Sequence, residues 1–482
     1  VSGERDALAW LDARNEAKRN DYAAFLAGKR AIHPAVGIEV PETAVNSVLF
    51  PFQRDLVRWS LRKGRCALFA DTGMGKTRMQ IEWARLTGQR TLILAPLSVA
   101  RQTVAEGARI GVDVAYARSA ADAPASGITI TNYEMLHAFE DAEFGAVVLD
   151  ESSILKSTAG VYRNMLVDRF ASTPYRLACT ATPAPNDIAE ITNHAAFLGI
   201  MPRRDVLATF FKHDADDARA SGWRLKAHAR EAFWRWLASW GLLLKRPSDL
   251  GYPDEGYNLP ELTITPQIVG GEVVLPGRMF ADKLKGVSDR ATVRKQTATA
   301  RVARAVELIQ ADRQPWIAWC GLNGESTAIS QALGDEAIEV TGSMSPDEKA
   351  QRIEWFIEGR YRVLVTKVEI AGFGMNFQHC ARMAFVGLSD SYEQYYQAIR
   401  RCWRFGQPRP VEAHVVLSET ERAIFDNVLR KEHEAEEMAR ELVKHVAAYE
   451  RAEIEGRALG DFNYTDQTEM YLPEWLRTEG AA

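Results

Sequence analysis

The sequence is poor in several things at once, and each shortage removes a class of function. It has five cysteines in 482 residues (Cys66, Cys179, Cys320, Cys380 and Cys402), scattered, odd in number and without a C-x-x-C pair. A disulfide framework and a zinc site are therefore not expected, and a reducing compartment is. No apolar run approaches the length of a membrane span, and the charged N-terminal stretch does not read as a signal peptide. The formal charge is −5, so no overall basic field marks a nucleic-acid binder, and any such partner must be met by a local groove. There is no short internal repeat. These absences lead to the expectation of a soluble, cytoplasmic chain, and the start at Val1 suggests either a processed or an artificially set beginning.

What is present is ordinary in bulk and specific in detail. A hydrophobic content of 46% and a charged content of 26% suit a globular protein, and the length allows two or three domains. The most informative stretch is Phe69-Ala-Asp-Thr-Gly-Met-Gly-Lys-Thr77. An apolar run, Cys66–Phe69, precedes it as a buried strand, and Met79, Ile81, Glu82, Trp83 and Leu86 follow as a helix. Strand, small-residue turn, Lys-Thr and helix form a phosphate-binding layout. Consecutive backbone N–H groups must wrap a polyphosphate, so Gly73 and Gly75 stand where side chains would obstruct. Lys76 offers a cation to the phosphates, Thr77 a hydroxyl to magnesium, and the helix its positive end. The cofactor-contacting set expected here is Thr72, Gly73, Met74, Gly75, Lys76 and Thr77, with ATP and Mg2+ as ligands.

Further strands are expected at Thr91–Pro96, Ile128–Thr131 and Ala146–Leu149, the last ending in Asp150-Glu151-Ser152-Ser153. Strands alternating with helices give a parallel sheet whose ligands gather at the strands' carboxyl ends. Asp150 is placed there to hold magnesium with Thr77, and Glu151 to orient or deprotonate an attacking water. The alternative is a helix N-terminus with ordinary acidic residues. Upstream, Phe50-Pro-Phe-Gln53 opens a helix. A glutamine amide can pair with an adenine edge, so Gln53 is a candidate adenine reader and Phe52 its packing surface, or Gln53 is a surface glutamine on an amphipathic helix. Thr180-Ala-Thr-Pro183 ends another strand, where its hydroxyls either relay between sites or form a simple turn.

Phe52-Gln53, Thr72–Thr77, Ala95-Pro96, Thr131-Asn-Tyr-Glu134, Asp150-Glu151 and Thr180–Pro183 occur in an order that resembles superfamily-two helicases and translocases. Gln397-Ala-Ile-Arg-Arg-Cys-Trp-Arg-Phe-Gly-Gln407, with Tyr392 and Gln394, resembles the Gln-Ala…Arg-x-x-Arg-x-Gly-Gln signature of the SWI/SNF-like branch. Val363–Thr366 and Ala371–Phe377 are similar to the glycine-rich motif before it, which puts Gly374 and Asn376 near nucleotide. Lys245–Asp249 with Leu259-Pro260 sits where that family has its basic-Asp-Val and Leu-Pro segment. The match spans roughly residues 47 to 430. The acidic box departs from it, being Asp-Glu-Ser-Ser rather than Asp-Glu-x-His, so coupling through that histidine is absent or done differently. Arg400 replaces an aspartate, and Ser389-Asp390-Ser391 replaces a Trp-Asn-Pro turn.

The resemblance implies an α/β protein of two tandem RecA-like domains with ATP in the cleft between them. Arg401 and Arg404, three apart on a helix, fall at the arginine-finger positions and join Lys76, Asp150 and Glu151 as the expected catalytic set. The expected domains are a helical prelude at 1–45, a first lobe at 46–245 with a helical insertion from about 184, and a linker with a basic helix at 246–300. A second lobe at 301–418 and an acidic helix and tail at 419–482 complete it. His228–Leu244 reads as one helix whose aromatic stripe (Phe233, Trp236, Leu237, Trp240) is either core or a base-stacking wedge. The basic stretch Lys283–Arg304 either follows a DNA backbone or is a solvated helix face. The helix beyond Ser418 braces the lobes or meets a protein partner. The resemblance implies a DNA partner, duplex by preference, and by position alone Arg101, Asn132, Lys156, Gly342 and Lys367 are the contacts. An RNA helicase and a non-enzymatic DNA-binding scaffold, free or within a larger restriction, repair or replication complex, are the alternatives. Retention of Lys76, Glu151 and both finger arginines speaks against a scaffold.

Overall fold

The computed structural model describes residues 33–156, 161–184, 187–213, 222–270, 294–371, 375–389 and 391–454. Residues 1–32 of the expected helical prelude and the tail after residue 454 lie outside them, as do Lys283, Lys285 and Arg290 of the basic stretch; the described part of the prelude, 33–45, holds only the short 3-10 turn Glu42–Ala44. Two wholly parallel sheets flanked by helices make two RecA-like domains.

In the first, β1 (Arg65–Ala70), β2 (Thr91–Ala95), β3 (Val114–Tyr116), β4 (Ile128–Asn132), β5 (Ala146–Asp150), β6 (Tyr175–Cys179) and β9 (Gly241–Leu244) run in the order β3-β4-β2-β5-β6-β1-β9. β7 (Phe211–His213) and β8 (Trp223–Leu225) form a separate antiparallel hairpin. In the second, β10 (Leu262–Val269), β11 (Trp316–Cys320), β12 (Ala337–Val340), β13 (Val363–Thr366), β14 (Arg382–Val386) and β15 (Val411–Ser418) run in the order β10-β15-β14-β11-β13-β12. The central strands are near-continuous apolar runs, as helices on both faces demand. Ile93, Val148, Leu177 and Leu68 in the first sheet, and Ile317, Leu364 and Met383 in the second, have no more than 1% exposure.

Two expectations change, and one choice between alternatives is decided. His228–Leu244 is not one helix: the helix stops at Ala238 and Gly241–Leu244 pairs with β1 in register Ala67↔Gly241 to Ala70↔Leu244. Gly241 allows this close approach, since a Cβ there would meet Leu237 and Phe69 at 3.1 and 3.2 Å. The aromatic residues are core: Phe233, Trp236 and Trp240 are buried beneath the first sheet, and so is Trp234, which lies off the expected stripe. The segment read as linker supplies β10, an edge strand paired with β15 along its whole length. Its alternating burial and single proline suit an edge.

Of the basic stretch, Arg301 is fully buried and bridges Glu325 and Glu421 (the latter at 2.9 Å), so it cannot follow a DNA backbone. Arg294 faces the same Glu421 at 3.6 Å, and Arg304 turns to Gln267 and Glu307. Helix 346–357 starts as its sequence indicates: Ser345 Oγ accepts from Glu348 N at 3.2 Å and Pro346 takes the first position. The last helix, Arg422–Ile454, leaves the second lobe and returns across the first. Ala439 and Val443 pack on one first-lobe core, Ile454 on the other, and Arg451 donates to Asp249 O at 3.3 Å. Among the described residues no helix is long and apolar enough to cross a membrane.

Candidate nucleotide site between the lobes

A cavity of about 210 Å³ lies between the lobes, at the carboxyl ends of β1 and β5. The first lobe lines it with Gln53, Thr72, Gly73, Gly75, Lys76, Thr77, Asp150 and Glu151, and the second with Asn376, Arg401, Arg404 and Phe405. Residues more than 300 apart in sequence thus meet in one space. Gly374 lies outside the described residues.

The loop owes its shape to its glycines. Gly73 and Gly75 have φ of 89° and 82°, a region closed to most side chains. Space forbids a side chain as well: a Cβ on Gly75 would sit 2.2 Å from Gln53 Nε2, and one on Gly73 3.1 Å from Phe405. Lys76 Nζ donates to the carbonyls of Ala70 (2.8 Å) and Asp71 (3.1 Å), so the cation leans on its own loop. Met74 turns its side chain into the core, and its contribution is a carbonyl that accepts from Gln53 Nε2 at 2.9 Å. Gln53 Oε1 accepts from Phe50 N at 3.0 Å. The glutamine amide is therefore buried and engaged at both ends, and reading adenine would require it to exchange these partners.

Phe52 does not line the cavity. It is 3% exposed and packs edge-on against Tyr257 at 5.5 Å. The aromatic faces at the cavity are Phe50, Tyr257 and Phe405, with Tyr257 and Phe405 only 4.7 Å apart. The reason is helical geometry: Phe50 precedes the helix Pro51–Lys63, whereas Phe52, within its first turn, faces the core.

Asp150 closes β5 and is 5% exposed. Its Oδ1 accepts from Gln80 Nε2 (2.8 Å) and Glu151 N (3.1 Å). Gln80 stands one turn after Lys76, on the same helix face, which is the sequence signal for it. Glu151 has φ 53°, the one non-glycine positive φ among the described residues. Such strain costs on the order of 1–3 kcal/mol and persists only where surroundings enforce it. Its Oε2 accepts from Thr180 Oγ1 at 3.4 Å, which joins the acidic box to the Thr-Ala-Thr-Pro turn. Burial raises the affinity of both carboxyls for protons, partly offset by the Lys76 charge. The box has no histidine of its own, yet His194, from helix Ile191–Leu198, puts Nε2 3.1 Å from Ser152 Oγ. That imidazole is fully buried, and desolvation lowers its pKa to about 4.

Opposite, Arg401 and Arg404 project from helix Tyr392–Cys402 and the turn after it. Arg401 Nη2 donates to Gln397 Oε1 at 2.5 Å, and both arginines donate to Met375 O, at 3.2 and 3.3 Å. Burial and the neighbouring Arg404 lower the Arg401 guanidinium to about 10.

The residues expected at nucleic acid divide. Asn132 is 4% exposed and donates to Glu134 at 2.5 Å, so it does not face solvent. Arg101 pairs with Asp347 and Lys156 with Glu393, both across the lobes. Gly342 is exposed, and Lys367 lines a small cavity of the second lobe. A larger cavity, about 460 Å³, lies behind Asp71 and beneath the last helix. Lys76, Thr77 and Glu151 do not line it.

Comparison with known proteins agrees with this geometry. Residues 319–406 match the family described as the helicase conserved C-terminal domain. A DEAD-box ATP-dependent RNA helicase 35A of Oryza sativa subsp. japonica is 24% identical over 157 residues, 32% of this chain and 24% of the relative. The chain thus spans about a quarter of that relative's length. The Sulfolobus solfataricus SWI2/SNF2 ATPase core in complex with dsDNA shares 17% identity, covering 86% of this chain and 99% of that one with a TM-score of 0.40. Two RecA-like lobes thus face each other, with a glycine-rich loop bearing Lys76 and Thr77 on the first and a helicase conserved C-terminal domain match on the second.

Proposed function

We propose that this enzyme hydrolyses ATP between its lobes to move along duplex DNA, as a translocase of SWI/SNF-like type. The observation that carries the reading is the single cleft into which Lys76, Thr77, Asp150 and Glu151 face from one lobe and Arg401 and Arg404 from the other. Lys76 takes the β- and γ-phosphates, releasing the two carbonyls it now holds, and Glu151 orients or deprotonates the water. The strained turn at Glu151 aims its carboxylate into the cleft, and burial raises its basicity. Arg401 and Arg404 neutralise the charge that develops on the transferring group, a contribution of roughly 10³–10⁵ in rate for an arginine finger. Phe50, Tyr257 and Phe405 offer the base its apolar surface.

Magnesium fits the residues present. Thr77 and Asp150 line the same cavity, and the hydrogen bonds that Asp150 accepts from Gln80 and Glu151 N both fall on Oδ1. Bound there, the ion would neutralise phosphate charge. Because fingers and phosphate loop belong to different lobes, hydrolysis is tied to lobe closure, and closure supplies the motion.

The arginine motif ending in Gly406-Gln407 favours duplex DNA, while the name of the rice relative points to RNA. ATPase stimulation by duplex DNA, single strands and RNA at fixed salt decides between them. Stimulation by duplex well above RNA is expected, weakening steeply with salt as backbone contacts release counterions. Equal stimulation by RNA would overturn the duplex reading.

A further inference from the structure

Arg400 stands where the resembling family carries an aspartate, and its partner lies in the other lobe. Its Nη2 donates to Asp71 Oδ2, while the Tyr396 hydroxyl, one helical turn earlier, donates to Asp71 Oδ1. Both ions are 8% exposed. Arg400 is sandwiched further by the rings of Trp403 (4.6 Å) and Tyr396 (5.2 Å), so its guanidinium has little freedom to look elsewhere. Asp71 is equally fixed. Its N donates to Leu244 O at 2.8 Å, and its Oδ1 accepts from Thr72 N at 2.6 Å.

Two features make this more than an ion pair. Asp71 belongs to the phosphate loop, and its carbonyl is one of the two that hold Lys76 Nζ. Arg400 is the neighbour of Arg401 on the helix that carries the fingers. One residue on each side of the cleft therefore joins the cation of one lobe to the cation of the other. The departures fit together: an aspartate at position 400 would face Asp71 and repel it, so Arg400 and the buried Asp71 are charge-matched in this chain.

We propose that Arg400 and Tyr396 are positioning residues that latch the finger helix onto Asp71 and so set Arg401 against the phosphate loop. The latch rests on the ATPase reading but not on which polymer is tracked. Movement of Lys76 from the Asp71 carbonyl to a phosphate is felt at Asp71, and through it at the finger helix, without a histidine in the acidic box.

The test uses the full chain. Arg400→Gln lowers kcat about tenfold, with KM for ATP within about threefold and one nucleotide still bound per chain, because a misplaced group loses rate before affinity. A merely structural defect would reduce the bound stoichiometry. Asp71→Asn combined with Arg400→Gln is no slower than the worse single variant, as residues of one unit are not additive. Should Arg400→Gln fold poorly, Tyr396→Phe, which removes one hydroxyl, gives the same pattern at smaller size. A readout free of hydrolysis accompanies it. All five native cysteines are buried, so spin labels at Val48→Cys and Ile357→Cys, both exposed and on different lobes, report lobe separation. Without nucleotide the distance distribution is narrow in the parent and broader and longer in the Arg400→Gln and Tyr396→Phe variants. A kcat within twofold of the parent with an unchanged distribution overturns the latch. A parent without ATPase activity overturns the functional reading instead, and the distances still decide the latch.

Discussion

The two lobes answer the same problem, holding charge inside a cleft, in opposite ways. The first keeps its cation on backbone: Lys76 rests on two carbonyls of its own loop, beside two carboxyls that burial makes reluctant to ionise. The second keeps its cations on one another's supports, with Arg401 and Arg404 sharing the Met375 carbonyl and Arg401 fixed by Gln397. Neither arrangement is self-sufficient. The first lobe brings Lys76 and its glycine-rich loop to the cleft, and Arg401 and Arg404 come from the second. Their cores differ too. Both bury tryptophans, Trp59, Trp83, Trp236 and Trp240 in the first and Trp316 and Trp319 in the second, but the second also buries an ion cluster of Arg301, Glu325 and Glu421. The contrast teaches that the first lobe is a rigid cradle and the second a charged counterpart whose placement must be specified by polar contacts.

The sharpest way to break the comparison is to silence the second lobe's side of the cleft. Arg401→Ala or Arg404→Ala is expected to lower kcat by about 10³ or more, measured as steady-state ATPase, while nucleotide still binds the first lobe. Lys76→Ala removes the opposing cation and abolishes measurable turnover, and an unchanged rate there would sink the mechanism. Glu151→Gln comes next, with a loss of roughly 10²–10⁴ in kcat and retained binding.

Stability variants sharpen the contrast of cores. Arg301→Met leaves Glu325 and Glu421 buried without their partner and costs about 3–5 kcal/mol in denaturant unfolding. Replacing the three residues together by apolar ones recovers most of that loss. Gly73→Ala tests the contact between lobes. The φ of 89° alone costs about 1–2 kcal/mol, and the approach to Phe405 adds to it, so a lower melting temperature and slower turnover are expected together.

The smallest effect is a pH dependence on the last helix. Burial and the neighbouring Glu436 push the Glu432 carboxyl up to about 7 from its usual 4.5. A raised carboxyl means that the folded state holds the proton longer than the unfolded one. Stability from this group is therefore full below about 4.5 and falls as pH rises through 7. Glu432→Gln should raise the melting temperature by a few degrees at pH 8 and leave it unchanged at pH 4.5, and equal shifts at both would refute the assignment.

Much of this molecule is legible in its residues. The strands Trp316–Cys320 and Ala146–Asp150 are apolar runs with turn signals at their ends, and Ser345-Pro346 announces its helix. The turn from Thr72 to Thr77 is legible because its glycines, set between an apolar run and a helical one, mark a tight strand-to-helix connection. Gly241–Leu244 is not legible, because four apolar residues that follow an aromatic helix satisfy helical periodicity as well as they satisfy a strand. Leu262–Val269 escapes because an edge strand is only half-buried and carries a proline. Tyr257 and Phe405 escape for a different reason: nothing local marks a residue whose partner is nearly 150 positions away. Arg301 misleads, since a basic run looks solvated until its buried acids are seen.

Local chemistry, then, determined the elements, the phosphate loop and the identity of the charged groups, since each follows from a few neighbouring side chains and the backbone conformations they allow. Tertiary structure alone decided which of those groups meet. It placed Arg401 and Arg404 opposite Lys76, tied Asp71 to Arg400 and Tyr396, and turned Phe52 and Asn132 inward. The physical reason is that burial and pairing across the lobes depend on the packing of two separate sheets, a property no single segment carries.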